Sequence, residues 1–453
     1  MAKIEGVHIP PNETLLEQYL LEEEGRAVFY SLLKSVDPNI HGFDSKGNYL
    51  HWDGFITRAR TFKANKEISY LVLKMKRSLT AHDRLVDEFG QPFLYTENGL
   101  MAKLHEISKM ITFDHLNIAT AQDKHRHLAK GVIMEEAISS AQLEGAVTTR
   151  KVAKQMLETG REPKNVSEQM IVNNWNLIQS TQEHKDDALS LELIFQFNQI
   201  VTEDTLENGH SAGEIRNAAV FVKNIVTGDT VHEPPPYEQI ETMLAMICDY
   251  ANAEHRLGGE FIHPIIKACV LHFMIGYIHP FFDGNGRTAR ALFYWYMLKS
   301  GYENFRYISI SALLKAAPKK YMKSFLYTET DENDLTHFID YQLSIIIRAL
   351  ERFTQYVRDK VAELHNAIEA IKTSPLYDRL SLHHITILEK ALKHSGRTFT
   401  VKEIENDFNV SSTAARGYLD KLAEMDLLIK FKLSGRTQGY IAPANLRERL
   451  CVS

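Results

Sequence analysis

The stretch "HPFFDGNGRTAR", His279 to Arg290, decides how this chain is read. It sets two arginines just after a glycine pair, where a helix would begin. Cations there are disfavoured by roughly 0.3–1 kcal/mol each, because the first N–H groups of a helix already carry partial positive charge. Pro280 pushes the residue before it out of the α region, so the preceding helix should end near His279, its imidazole facing a loop. Gly284 and Gly286 can take backbone angles closed to other residues. Such residues in succession turn N–H groups inward as an anion nest. A helix starting around Arg287 adds its own free N–H groups and its positive end. Arg287 and Arg290 are three apart and share a face. Positive charge thus converges on one spot, and the expected occupant is a multiply charged anion, most simply a nucleotide polyphosphate. Arginine suits phosphate because its planar fork donates two hydrogen bonds at once. Asp283, the one carboxylate of the loop, is the kind of group that holds Mg2+ beside phosphates. His279 is then placed to accept a proton from an attacking hydroxyl. "GNGRTA" also fits GxGxxA, but that fingerprint follows a strand, and a helical run precedes it here. No GxxxxGK[ST] occurs, which excludes a P-loop.

Around this loop the pattern is strongly helical from about 116 to 372. "ELIFQFNQIV", "EQIETMLAMICDYAN", "PIIKACVLHFMIGYI" and "TARALFYWYMLKSGY" repeat apolar residues at three-to-four spacing. "KACVLHFMIG" is apolar nearly all round, as suits a helix at the centre of a bundle. One segment breaks the pattern. "AAVFVKNIVTGDTVHEPPP" carries β-branched residues on both sides of Gly228-Asp229 and reads as a short hairpin followed by an extended connector. Residues 1–115 mix helical runs with irregular stretches and read as a separate N-terminal domain. Within them "YLHWDGF" is aromatic enough for a contact patch but reads first as a core segment. From 375 to 453 come three helices and two strands joined by a Gly-containing turn, the order of a winged helix-turn-helix domain. The expected class is mainly α.

The net charge of −6 in 453 residues argues against a protein that is basic overall and coats nucleic acid or anionic membrane. No apolar leader or membrane-length run is evident, and Cys248, Cys269 and Cys451 form no CxxC pair. The expected location is the cytoplasm, without membrane contact.

The loop resembles the signature of the Fic family, His-x-Phe-x-Asp/Glu-Gly-Asn-Gly-Arg-x-x-Arg. His279, Phe281, Asp283, Gly284, Asn285, Gly286, Arg287 and Arg290 all match it. The resemblance runs from roughly 115 to 350. It implies a helical bundle with a short hairpin flap, at 220–231, that docks a target. The implied reaction is protein adenylylation: AMP passes from ATP to a Ser, Thr or Tyr hydroxyl of a protein. It implies His279 as general base and Asp283 as Mg2+ ligand, with Phe281 packed beneath the loop. Gly284, Asn285 and Gly286 would bind phosphate, Arg287 and Arg290 would grip the polyphosphate, and Thr288 and Ala289 complete the nucleotide-binding run. By the same analogy Tyr321 lines the nucleotide pocket.

"SSAQLEGAVTTR" resembles the family's inhibitory motif, Ser/Thr-x-x-x-Glu-Gly/Asn, on a helix near 133–145. Ser140 and Glu144 share a face. The resemblance implies that Glu144, followed by Gly145, pairs with Arg290 and takes the place of the γ-phosphate. A second match, Thr328 with Glu332 and Asn333, lies in "TETDEND", an acidic cluster that reads as a solvated loop. Residues 378–453 carry twelve Lys/Arg and nine Asp/Glu, a net of +3 against −9 for the rest. That contrast, with Ser411, Ser412, Thr413 and Arg416 on one helix and Lys430, Lys432 and Arg436 near the turn, suits DNA, while Asp420 and Glu424 suit a protein partner. Two function classes follow: an autoinhibited adenylyltransferase, or a DNA-binding regulator whose Fic region senses nucleotide. Other phosphate-group transfer and removal of AMP stay open within the first. The expected partners are ATP, a protein docked on the flap and DNA through 375–453; a homo-oligomer stays open.

Overall fold

The computed structural model describes residues 3–451 apart from 5, 35–41, 59–64, 80, 98, 113–121, 207–210, 224–227, 255–260, 373–375, 394–395 and 435–436. The fold is mainly α. A short antiparallel pair, β1 (Lys3–Ile4) and β2 (Val7–His8), precedes α1 (Glu13–Leu21), α2 (Glu23–Lys34), α3 (Trp52–Arg58) and α4 (Lys66–Ser78). A hairpin of β3 (Ala81–Val86) and β4 (Pro92–Thr96) leads to α5 (Leu100–Thr112). Next come α6 (Gln122–Leu143), α7 (Arg150–Thr159), α8 (Val166–Glu183) and α9 (Leu191–Thr202). A second hairpin pairs β5 (Val222–Lys223) with β6 (Thr230–His232). It is followed by α10 (Ile240–Asn252), α11 (Pro264–Ile278), α12 (Asn285–Lys299), α13 (Ser311–Ala316), α14 (Pro318–Thr330) and the long α15 (Thr336–Lys372). The chain closes with α16 (Leu382–Lys393), β7 (Thr398–Thr400), α17 (Val401–Phe408), α18 (Ser412–Glu424), β8 (Ile429–Ser434), β9 (Thr437–Ile441) and α19 (Leu446–Cys451).

Residues 1–116 and 131–350 make one compact unit; 351–453, with 117–130, make the other. In the first unit α11 is the central rod. His263 caps its start by accepting from the N–H of Ile265, Pro264 supplies a helix-ready φ at the first position, and every residue from Ile265 to Ile278 except Gly276 is buried. α12 lies along it and also packs on α8 and α9.

The boundary expected at 115 is not where the unit divides. Residues before 113 join the same unit through buried polar contacts. Tyr49 donates its hydroxyl to Asp334 at 2.7 Å and Tyr70 donates to Asp331 at 2.6 Å. Lys103 reaches Asp340 at 2.6 Å, and Leu94 exchanges backbone bonds with Asn333 and Leu335. Tyr49, Trp52 and Phe55 of "YLHWDGF" are buried. The same contacts correct the reading of "TETDEND" as a solvated loop. Thr328 and Asp331 are buried, and Asp331 accepts from Tyr70 and His337 while pairing with Lys74 at 3.0 Å. Burial alone would raise its carboxyl pKa, but His337 and Lys74 outweigh burial and hold it well below the usual range. An acidic cluster on a polar string looks solvated; of the partners that draw it inside, His337 is close in sequence, but Tyr70 and Lys74 lie more than 250 positions upstream.

The second unit has its own core of Ile387, Leu388, Phe399, Ile404, Leu419, Leu422 and Tyr440. Its sheet has three strands, in the order β7-β9-β8, one more than the sequence reading gave. The extra strand, β7, is only "TFT", and its last residue, Thr400, is also the N-cap of α17.

Candidate active site

α11 ends on His279, whose backbone takes the left-handed conformation (φ 49°). This turns the chain sharply into the loop and presents the ring at its floor. The ring Nδ1 faces the Gly276 carbonyl at 3.4 Å. The tautomer protonated there leaves Nε2 as an acceptor. Burial, with His232 adding to it, lowers the His279 pKa to about 4, so the ring is neutral at pH 7.

The turn is held by Arg216, a buried side chain that the sequence reading did not single out. Its guanidinium donates to the carbonyls of His279 (2.9 Å), Ala218 (3.0 Å), Ile278 (3.4 Å) and Pro235, and its own N–H bonds Pro280 O at 2.9 Å. It ties the loop's entry to the base of the flap. Nothing in its surroundings, "GEIRNAA" just before the hairpin, marks it in the sequence. Phe281 is buried beneath the loop.

Gly284 takes φ 80°, and a side chain there would meet Thr202, Asn198 and Val201 of α9 within 3 Å. Both the angle and the space require glycine. α12 begins at the next residue, so the N–H groups of Asn285, Gly286 and Arg287 lie in its first turn and lack helical partners. The Asn285 side chain does not face that opening. It accepts from Phe281 N at 2.9 Å and donates to Phe281 O at 2.7 Å, closing the loop on itself. Only its backbone remains for an anion.

Arg287 is also drawn inward, contrary to the expectation that it grips a polyphosphate beside Arg290. It donates to Val201 O at 2.9 Å and to Asp283 Oδ2 at 2.9 Å, and it is 1% exposed. Thr288 and Ala289 are buried as well, and Thr288 N already bonds Gly284 O at 2.8 Å. They form the wall behind the loop and offer no group to a ligand. The physical reason is common to all three. α12 packs on α8, α9 and α11, so most of its first two turns faces protein.

Arg290 does reach the site. Its Nε donates to Ser140 Oγ at 3.0 Å and its Nη2 to Ser140 O at 3.2 Å. Nη2 also lies 3.0 Å from Glu144 Oε1. Glu144 sits just past the end of α6, not within it, and Gly145 (φ 99°) closes the helix by a left-handed turn in which Ala146 N bonds Ala141 O. The Glu144 carboxylate rests directly on Gly286: a Cβ built there would lie 2.3 Å from Oε1. Tyr321 faces the same arginine, and its hydroxyl lies 2.8 Å from His272 Nε2. Burial raises the tyrosine's pKa and lowers that of His272 to about 3, so this pair is neutral.

Asp283 is half exposed. One oxygen accepts from Gly284 N at 2.6 Å and the other from Arg287. Among the described residues a second group of potential metal ligands exists, Asp331, Asp334 and His337. Its Asp331 is already neutralised by Lys74 and His337.

The flap strand β6 is pinned at His232. Its Nε2 lies 2.7 Å from Tyr277 O and its Nδ1 2.9 Å from Glu329 Oε2. Burial would lower its pKa, but Glu329 outweighs burial and raises it. Beside β6 opens a cavity of about 430 Å3 lined by Asp87, Glu88, His232, Glu233, Tyr277 and Glu329.

Residues 188–297 match the Fic/DOC family. Over 127 residues the chain is 32% identical to a protein adenylyltransferase Fic of Nematostella vectensis, covering 28% of this chain and 26% of that one. Over 124 residues it is 34% identical to the protein adenylyltransferase fic-1 of Caenorhabditis elegans, covering 27% and 21%. The chain thus spans about a quarter or less of the length of these relatives. A Fic family protein from Desulfovibrio desulfuricans G20 superimposes with a TM-score of 0.48 at 17% identity, over 76% of this chain and 95% of that one. The His279–Arg290 loop lies inside the stretch, residues 188–297, that matches the Fic/DOC family.

Proposed function

We propose that this chain is a protein adenylyltransferase, passing AMP from ATP to a Ser, Thr or Tyr hydroxyl of a protein target, and that Glu144 restrains it. The observation that carries this reading is the Glu144 carboxylate seated against Gly286 and Arg290 at the start of α12. An anionic group from the chain itself occupies a spot built from helix N–H groups and an arginine, the surroundings a phosphate takes. The triphosphate would lie over Gly284 to Gly286, its terminal phosphate where the carboxylate now sits.

His279 Nε2 would take the proton of the target hydroxyl as its oxygen bonds to the α-phosphorus. The bond from that phosphorus to the bridging oxygen breaks, and pyrophosphate leaves. The low pKa of His279 keeps the accepting form present at neutral pH. Arg290 would balance charge on the leaving group once Glu144 withdraws, and Arg216 would hold the base in place without touching substrate. Asp283 fits a magnesium ligand: it is half exposed, and each oxygen has accepted only one hydrogen bond. Bound there, the ion would neutralise phosphate charge. The flap would offer β6 to an extended target segment by strand addition, with Phe221, 51% exposed, as an apolar contact beside β5.

The test is incorporation of α-labelled ATP into the chain or a lysate, read by mass spectrometry as covalent AMP. Glu144→Gly should exceed the parent, and adding His279→Ala should remove the signal. A Glu144→Gly variant that labels nothing would refute the reading.

A second function is supported by the element order of the second unit, helix, strand, helix, helix, hairpin, which is that of a winged helix. Ser412, Thr413 and Arg416 are exposed along α18, whereas Lys430 is bound to Asp420 at 2.7 Å. Arg436 lies outside the described residues. We infer a DNA contact through α18. A salt-dependent shift of duplex DNA by the full chain, weakened by Arg416→Ala, tests it; no binding at low salt would remove it.

A further inference from the structure

Glu144 is joined to Arg290 by one ion pair, and its side chain is 29% exposed. One such contact, at the tip of a partly exposed side chain, does not by itself fix the helix that carries it. What fixes it must lie further back along α6. Two turns upstream, Glu136 is buried to 4% exposure. Its Oε2 accepts from Ser309 Oγ at 2.7 Å and from Ser311 N at 3.0 Å, and its Oε1 accepts from Ser311 Oγ. Residues 309–311 lead into α13, which passes through Pro318 into α14, the helix that carries Tyr321. The carboxylate therefore ties α6 to the segment that forms the opposite wall of the Arg290 site.

A carboxylate in the interior is costly unless its oxygens are fully matched. Burial raises the Glu136 pKa, and the serine donors offset only part of that. A leucine would pack there with no such penalty. Asn174 adds a single bond to the Ala137 carbonyl at 3.2 Å, and Lys315 bonds Gln142 at 2.5 Å, but that pair is exposed.

We propose that Glu136 is the latch of the brake, a positioning residue that clamps α6 to residues 309–311 and so sets Glu144 on Arg290. The proposal rests on the reading of Glu144 as a restraint. Its logic predicts a gain: releasing the latch should free the end of α6, and a freed Glu144 should let nucleotide align.

The test uses the full chain and two readouts. Glu136→Ala should raise AMP incorporation on the order of tenfold, within the range usual for coupling between linked sites. Glu136→Ala in the Glu144→Gly background should add nothing, because the latch acts only through Glu144. Global misfolding lowers activity, so a gain shows that the catalytic part of the chain is intact. Hydrogen exchange of residues 137–144 reads the latch without activity, and it should quicken in Glu136→Ala. If that variant fails to fold, Ser309→Ala with Ser311→Ala removes the donors from the other side and should behave alike. Unchanged exchange over 137–144 in a folded variant overturns the latch, whatever the activity. Faster exchange without a gain in transfer, while Glu144→Gly is active, overturns its link to the brake. If Glu144→Gly is inactive, the transferase reading fails, and exchange alone decides whether Glu136 holds α6.

Discussion

Gly286→Ala separates two meanings of the Glu144 contact. The new methyl would stand 2.3 Å from Glu144 Oε1 and 3.1 Å from Arg290 Nη1. Ordinary contact needs 3.4 Å or more, so the carboxylate must retreat by about 1 Å. It can do so, being the far end of a flexible side chain. The Arg290 pair, now 3.0 Å, would lengthen to about 4 Å. At an effective dielectric of about 20, that lengthening weakens the attraction by about 1.4 kcal/mol, or about tenfold in how firmly the carboxylate is held. Folding should not suffer, because Gly286 lies inside α12 with ordinary helical angles, where alanine is the better helix former by roughly 0.5–1 kcal/mol. On this ground alone the variant should resemble a mild Glu144→Gly.

The site's geometry predicts otherwise. If the carboxylate marks where the terminal phosphate goes, the methyl obstructs the phosphate as well. Placed in the Glu144→Gly background, Gly286→Ala should weaken Mg-ATP binding at least about tenfold, the scale of one charge-assisted hydrogen bond of roughly 1.5–3 kcal/mol. Titration calorimetry measures the affinity, and a thermal melt confirms the fold. If the double variant binds Mg-ATP as tightly as Glu144→Gly alone, the anion does not rest on Gly286 and the assignment of this cradle is wrong.

Two further outcomes follow from the base and its support. A pKa lowered to about 4 leaves His279 neutral at all higher pH. Transfer by Glu144→Gly should therefore stay level from pH 8 down to about 5 and fall only as pH drops through about 4; an acid limb centred near 6.5 would contradict a buried neutral ring. Arg216→Ala leaves the carbonyls of Ala218, Pro235, Ile278 and His279 without their donor, each worth roughly 1–3 kcal/mol when buried. Its melting temperature should drop by several degrees and transfer should be lost, with Arg216→Lys failing to restore it because one ammonium cannot reach that spread of carbonyls.

The sequence reading reached the helical class, the end of α11 at His279, the flap hairpin and the pairing partner of Arg290. These are local or follow from a dense motif: a proline after a helix, a glycine pair, a serine and a glutamate one turn apart. It did not reach Arg216, His232 or Glu136. Each makes contacts at least 45 positions away, Arg216 local ones besides, and none stands in a pattern that marks it. It also assigned Asn285 and Arg287 to the ligand. A motif gives residue types and spacing, but the direction of a side chain depends on what packs behind the helix. Here α9 lies behind it, and Val201 and Asn198 meet the loop from below.

That packing answers why arginines stand at a helix start. Each has its own carboxylate, and the two carboxylates differ in kind. Asp283 lies four residues before Arg287, so the chain itself keeps that pair close. Glu144 approaches Arg290 from α6, nearly 150 residues away in sequence, on a side chain partly open to solvent. Only this second pair can part without unfolding the loop. A permanent counter-ion serves structure; a removable one leaves behind a buried arginine and free helix N–H groups, an arrangement stable only when another anion arrives. On the proposed reading the exchangeable charge at this site is Glu144, and Arg290, rather than Arg287, would meet the substrate.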